Sequence, residues 1–151
     1  MAVAHEIALP AALSSLSPLA EWLAQQLAPL PVDEAWRFAL DLAACETATN
    51  IIRYALHEEA RCLFRVEFTL NDTGVRLRFT DAGERFPAER LTQARHEAFD
   101  DDTLLAESGR GLRLILLSVD SFAVERRDGK NITTLEKGWS GLKSEDPPTV
   151  R

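Results

Sequence analysis

Leu40–Tyr54 reads LDLAACETATNIIRY, and the fold turns on how this stretch is taken. It has the length and residue types of the middle of a long helix carrying two polar residues, Glu46 and Asn50, one turn apart. Residues four apart stack on one helical face. At roughly 100° per residue, the two lie about 40° apart around the axis. Phe38, Leu42, Cys45, Thr49, Ile52 and Leu56 form a mostly apolar stripe on a neighbouring face. The helix can therefore bury one side against a sheet and hold a carboxylate and an amide at the edge of a cleft. Both are hard oxygen donors, the kind magnesium accepts alongside water and substrate phosphates. Taken alone, a Glu and an Asn at this spacing are more often just a solvated helix face, so the rest of the chain has to decide.

Upstream, His5–Leu9 alternates briefly and Pro10 ends it, as expected of an edge strand. Ser17-Pro18 opens a helix to about Leu27, because Ser caps well and Pro suits a first turn. Leu16, Leu19, Leu23 and Leu27 give that helix an apolar face for the core. Pro29 and Pro31 then break the chain, and Asp33 suits the cap of the long helix.

Downstream, Ala60–Asn71 alternates as a strand, Asn71-Asp72-Thr73-Gly74 is a turn, and Val75–Thr80 is the returning strand. The predicted hairpin has one buried and one wet face. At its end stands Asp81-Ala82-Gly83-Glu84-Arg85-Phe86-Pro87. An Asp followed by Gly here is commonly a plain turn. It can also present a carboxylate to an exocyclic amine, with Gly83 admitting a flat ring close to the backbone. Pro87–Glu107 is polar, with a short helix near Glu89–Phe99 and a solvated acidic run, Asp100-Asp101-Asp102. Loops of this length inside a compact domain are usually functional.

Ser108-Gly109-Arg110-Gly111-Leu112-Arg113 opens an apolar, helix-length run. Such a start turns backbone N–H groups and the positive end of the helix dipole toward an anion. It lacks both the third glycine of a dinucleotide fingerprint and the Lys-Ser/Thr of a P-loop. Phe122–Arg126, a tight turn at Asp128-Gly129, and Asn131–Lys137 form a second hairpin. Residues 139–151 read as a frayed tail behind a single domain of residues 1–138.

Composition narrows the function. The chain has 151 residues, 46% hydrophobic and 27% charged, enough for one domain with a sizeable core. No apolar run approaches the roughly 20 residues that span a bilayer, and no secretion signal is expected at the N-terminus. The two cysteines, Cys45 and Cys62, are expected as buried free thiols, and two Cys with three His at scattered positions give no zinc spacing. A net charge of −7 argues against a general nucleic-acid or membrane surface. Any phosphate site must therefore draw its positive potential locally.

Four motifs stand in one order: Glu46-x-x-x-Asn50 on a helix, Asp81-x-Gly83-x-x-Phe86 after a strand, Gly109-x-Gly111 opening a helix, and Thr134 in the last strand. That order resembles the ATP-binding (GHKL) domain shared by gyrase, the Hsp90 chaperone, histidine kinases and MutL. The ending, with Gly-Arg-Gly-Leu and Gly-Lys-Asn-Ile-Thr-Thr-Leu-Glu-Lys, looks most like the anti-sigma-factor serine kinases of bacterial partner switching. The resemblance implies a two-layer α/β sandwich of the Bergerat type: a mixed, mainly antiparallel sheet with helices on one face and a lid over Pro87–Ser108. It implies ATP and Mg2+ as cofactors. Asn50 would hold the metal, and Glu46 would be the catalytic carboxylate that takes the proton of the attacking serine. Asp81 would accept from the adenine amine, with Gly83 beside the ring. Phe86, Gly109, Arg110, Gly111 and Leu112 would complete the nucleotide site, and Thr134 would support the adenine side. Tyr54 stands where relatives often have His, and Arg113 where many have a small residue.

The resemblance further implies a cytoplasmic homodimer whose partners are a small STAS-type anti-sigma-factor antagonist and a sigma factor or equivalent regulator, with no direct nucleic-acid contact. The leading reading is an ATP-dependent kinase acting on a serine of that antagonist. The alternative is a nucleotide-dependent binding switch with little or no transfer, which would not need Glu46. A stand-alone nucleotide hydrolase ranks last.

Overall fold

A computed structural model describes residues 3–96 and 107–139 of the chain. Five strands form one sheet: β1 (Val3–Pro10), β2 (Leu63–Asn71), β3 (Gly74–Asp81), β4 (Ser121–Arg127) and β5 (Lys130–Gly138), in the order β1-β2-β3-β5-β4. Every neighbouring pair is antiparallel. Alternation sends Phe64, Val66, Phe68, Val75, Leu77, Phe79 and Leu135 into the core, where all are buried. The opposite face carries charged residues in register: Arg76 lies 3.0 Å from Glu136 and Arg78 3.9 Å from Glu67. These pairs are solvent-exposed and contribute little stability; their use is to keep that face wet. The fold expected from the sequence, an α/β sandwich of a sheet with helices on one side, is the fold found, except that the sheet expected to be mixed is wholly antiparallel among the described residues.

The helices are α1 (Leu16–Leu27), α2 (Glu34–Asn50), α3 (Ala88–His96) and α4 (Glu107–Ser118). α1 buries Leu19, Leu23 and Leu27 as expected, but Ser15, not Ser17, flanks its start. The Ser15 hydroxyl donates to the Pro10 carbonyl at 2.7 Å and so ties the helix to the end of β1. Asp33 caps α2, its carboxylate accepting from the Trp36 N–H at 2.9 Å.

The buried face of α2 departs from the expected stripe. Trp36, Leu40, Ala43, Ala44, Thr47, Ala48 and Ile51 face inward, a spacing of four, three, one, three, one and three residues that suits a packed helix. Phe38 is 66% exposed. Ile52 and Leu56 at the far end of the stripe are buried as expected, but along α2 the packed face runs through Ala43, Ala44 and Ala48, which permit close approach and give a weak apolar signal in the sequence. Cys62 is exposed and Cys45 only half-buried, so neither is the fully buried thiol expected. Burial, then the nearby Glu46 and Asp41 charges, push the Cys45 thiol up, away from the reactive thiolate.

After Asn50 the helix widens into a π-helical turn over Ile51–Ala55. His57 and Glu58 leave it with left-handed backbone, φ 53° and 56°. At the other end of α2, the Trp36 indole donates to the Gly138 carbonyl at 3.1 Å and stacks on Trp139, ring centroids 5.4 Å apart. Trp139 therefore packs with the domain. The remainder of the expected tail, the acidic run at Asp100–Asp102 and part of the expected lid lie outside the described residues.

Candidate functional site

α2, its π-helical extension, α4 and the ends of β3, β4 and β5 enclose a cavity of about 260 Å³. That is near the lower end for ligand pockets and suits a ring system more than a whole triphosphate. Its wall is mostly apolar, from Ile51, Phe86, Leu112, Ile115, Phe122 and Val124, with Asp81, Asn131 and Thr133 at the strand ends and Asn50 and Thr47 on α2.

Asp81 is the last residue of β3 and is 3% exposed. Its Oδ1 accepts from the Gly83 N–H and from Asn131 Nδ2, both at 2.9 Å. Asn131 pairs with Asp81 across the β3–β5 ladder and reaches further. Its Nδ2 also donates to the Glu84 carbonyl at 2.7 Å, and its Oδ1 accepts from Arg126 at 3.1 Å and from the Phe86 N–H at 3.4 Å. Arg126 in turn donates to the Gly83 carbonyl at 2.8 Å. One asparagine thus organises the whole Asp81–Phe86 turn. Burial pushes the Asp81 carboxyl above its ordinary range, while Asn131, the Gly83 N–H and Arg126 pull it back in part. Both of these hydrogen bonds fall on Oδ1, so among the described residues Oδ2 remains for an outside donor.

Gly83 is required for a reason the sequence did not suggest. A Cβ there would lie 2.2 Å from the Ala55 carbonyl oxygen, and the same carbonyl accepts from the Glu84 N–H at 3.0 Å. The glycine lets the Asp81 turn seat on the π-helical end of α2. π-turns of this kind recur at functional sites.

At the other side of the cleft, α4 crosses α2 at Gly111. A Cβ at Gly111 would lie 2.6 Å from Glu46 Oε1, so the glycine admits the carboxylate against the α4 backbone. Asn50, one turn further along α2, is half-buried and lines the cavity, as does Leu112. Tyr54 follows, with the Arg90 guanidinium 6.0 Å from its ring centre.

A family model described as the histidine kinase-like ATPase domain matches residues 9–137. The chain belongs to this family. Similar solved structures include the RsbU and RsbW domains of Rv1364c from Mycobacterium tuberculosis, at 18% identity and a TM-score of 0.63 over 90% of this chain and 32% of that one. Another is the histidine kinase domain of the blue-light activated histidine kinase of Erythrobacter litoralis EL346, at 15% identity and a TM-score of 0.56 over 89% of this chain and 64% of that one. The chain thus spans about a third of the first structure and just under two thirds of the second, and at these identities the likeness concerns the fold. A comparison with curated protein sequences finds no match.

A histidine kinase-like ATPase domain implies an ATP site, and the residues fit one. The cavity combines an apolar slot with a buried carboxylate that keeps one oxygen for a ligand. Asn50 supplies a hard oxygen donor at the same cavity. Among the described residues no cluster of three or more His, Cys, Asp or Glu could hold a metal. Magnesium here would depend on Asn50, water and the phosphates of the substrate, which is its usual habit.

Of the residues singled out in the sequence, Asn50, Asp81, Phe86 and Leu112 line one cavity, and Glu46 lies one helical turn from Asn50. Gly109 and Gly111 fall within the first five residues of α4. The Gly109 N–H belongs to the unpaired first turn, whereas helix geometry commits the Gly111 N–H to the carbonyl four residues back. Gly111 therefore serves the Glu46 contact rather than offering its N–H. The Arg110 side chain lies outside what is described. Arg113 is buried.

Thr134 does not face the cavity; Thr133 does. Strand alternation puts Asn131, Thr133 and Leu135 on the helix side and Thr134 on the other. In a Thr-Thr pair only the register tells which one points in. Asn131 and Arg126 carry no local mark of these roles in the sequence, since both are polar residues flanking a hairpin turn and their contacts reach the distant Asp81–Phe86 segment.

Proposed function

We infer that this histidine kinase-like ATPase domain is an ATP-dependent protein serine kinase that also sequesters a regulator. Its substrate is a small STAS-type anti-sigma-factor antagonist, and the sequestered protein is a sigma factor or its equivalent. The observation that carries the reading is one cavity bringing Asp81 and Asn50 together, with the Glu46 carboxylate a turn beyond. Asp81 Oδ2 accepts from the adenine amine, and the apolar wall takes the ring faces. Asn50 would hold magnesium through its amide oxygen, and the metal would there offset charge on the phosphates of ATP, which supplies the phosphoryl group.

Glu46 orients the serine hydroxyl and takes its proton as the serine oxygen bonds to the γ-phosphorus. The bond to the bridging oxygen breaks, and ADP leaves. The N-terminus of α4 adds positive potential at the phosphates, which a chain of net charge −7 otherwise lacks. The Rv1364c structure, described by its RsbU and RsbW domains, supports a place in partner switching. Cytoplasmic location and homodimerisation go with that reading; no helix among the described residues is long and apolar enough to cross a membrane.

The test is direct. The protein is incubated with Mg-ATP and the antagonist encoded beside it, and the antagonist is weighed by mass spectrometry. A gain of one phosphate that disappears in Glu46→Ala supports the kinase. Nucleotide-dependent binding of the antagonist without that gain leaves the binding switch.

A further inference from the structure

Thr47 lies on α2 between Glu46 and Asn50, is 3% exposed and forms part of the cavity wall. Its hydroxyl has no hydrogen-bond partner among the described residues. Nearby helical hydroxyls do not share this condition. Thr49, two residues on, donates to the Cys45 carbonyl at 2.8 Å, and Ser118 in α4 donates to the Leu114 carbonyl at 2.7 Å. Back-bonding to the preceding turn is the ordinary resting place of a buried Thr hydroxyl in a helix, and Thr47 forgoes it. Valine has the same shape and no polar atom, so an unsatisfied hydroxyl here weakens the empty fold.

Across the same cavity, Asp81 keeps Oδ2 for an amine. A carboxylate selects a donor and nothing more. A base that offers an exocyclic amine also offers ring nitrogens, which are acceptors. A Thr hydroxyl can donate to one of them, and rotation about χ1, which has two accessible wells for Thr in a helix, exchanges its methyl and hydroxyl at the wall.

We propose that Thr47 is a base-reading residue: its hydroxyl donates to a ring nitrogen of the bound purine while Asp81 accepts from the amine. The pair recognises the donor-plus-acceptor pattern of adenine. A 6-oxo purine such as hypoxanthine would set a carbonyl oxygen against the Asp81 carboxylate. The inference rests on the ATP reading given above.

The experiment titrates the full chain with Mg-ADP and with its 1-deaza, 3-deaza and 7-deaza analogues by calorimetry, for the unaltered protein, Thr47→Val and Thr47→Ser. The melting temperature of each ligand-free protein is also recorded. One deaza analogue should bind the unaltered protein about ten-fold more weakly than ADP, the worth of one hydrogen bond whose partner is left unpaired. Thr47→Val should lose the same factor on ADP and show no further loss on that analogue, while Thr47→Ser should stay within about three-fold of the unaltered protein. Without ligand, Thr47→Val should melt about 2–4 °C higher, which a residue serving structure alone would not do.

Equal affinity for ADP and all three analogues in the unaltered protein overturns the proposal, even if Thr47→Val does not fold. So does a Thr47→Val protein that binds ADP as tightly as the original. Either result leaves the ATP site standing. Absence of any ADP binding by the unaltered, folded protein would instead remove the ATP reading itself.

Discussion

At the Asp81 end of the cleft the polar side chains are held by the protein: Asn131 touches the carboxylate, two backbone groups of the turn and Arg126. At the Glu46 end neither Glu46 nor Asn50 makes a side-chain hydrogen bond among the described residues. The first end is built before any ligand arrives, because a buried carboxylate without partners is costly. The second can wait, because both residues are only half-buried and a half-exposed polar group can be solvated at little cost. Changes at the Asp81 end should therefore cost stability as well as binding, and a change at Glu46 should cost chemistry alone.

The largest expected effect is at Glu46. Glu46→Gln keeps the contact with Gly111, so stability should stay within about 0.5 kcal/mol and ADP affinity should hold. Phosphate transfer should fall by about 10²–10⁴-fold, the usual worth of a positioned base. Single-turnover transfer set beside a denaturant melt checks this, and a large loss of stability would break the contrast.

Gly83→Ala acts on the opposite side. Its Cβ would meet backbone, the Ala55 carbonyl, at 2.2 Å, which side-chain repacking cannot relieve. A loss of about 1–3 kcal/mol is expected, read from urea unfolding, with weaker nucleotide binding alongside. A neutral Gly83→Ala would show that the turn does not need to seat on the π-helical end.

Asn131→Ala should cost about 1–3 kcal/mol through the unpaired groups it leaves. The Asn131 bond helps hold the Asp81 carboxyl down, so its removal should raise that carboxyl further, as read by NMR titration. Asn131→Asp should be worse for ADP, since it sets a second carboxylate beside the first.

The smallest effect is the pH dependence. Burial raises the folded-state Asp81 carboxyl above its unfolded value, so in between the folded protein binds more protons. This group's contribution to stability therefore falls as pH rises from the unfolded value through the folded one, and is constant above it. Nucleotide binding should move the other way, weakening as pH falls through the folded value and Asp81 stops accepting. Asp81→Asn should remove both trends, and a stability trend that survives the change would assign it to another group.

The legible part of the site was its order along the chain. Asp33 capping α2, the Asn71–Gly74 turn and the Asp128-Gly129 turn are local chemistry, and the structure has all three. The Glu46–Asn50 spacing holds because helix geometry fixes what four residues mean. The resemblance points to Thr134, β-branching marks Thr133 and Thr134 alike, and which of them faces the cavity depends on which face of β5 meets the helices. Helical spacing puts Phe38 on the apolar stripe, yet it lies outside, because periodicity does not say which neighbours α2 packs against.

Sequence alone determined the strands, the helices, the order of the motifs and the family they belong to, since each is written in periods of two and four and in residues with special backbone habits. Tertiary structure alone decided that Asn131 would hold Asp81, that Gly83 would seat on Ala55, that Gly111 would admit Glu46, and that Thr47 would find no hydrogen-bond partner among the described residues. These four contacts join segments far apart in the chain or, for Thr47, express a partner that distant segments fail to supply. Their energies depend on what is buried together, which no local window of residues records.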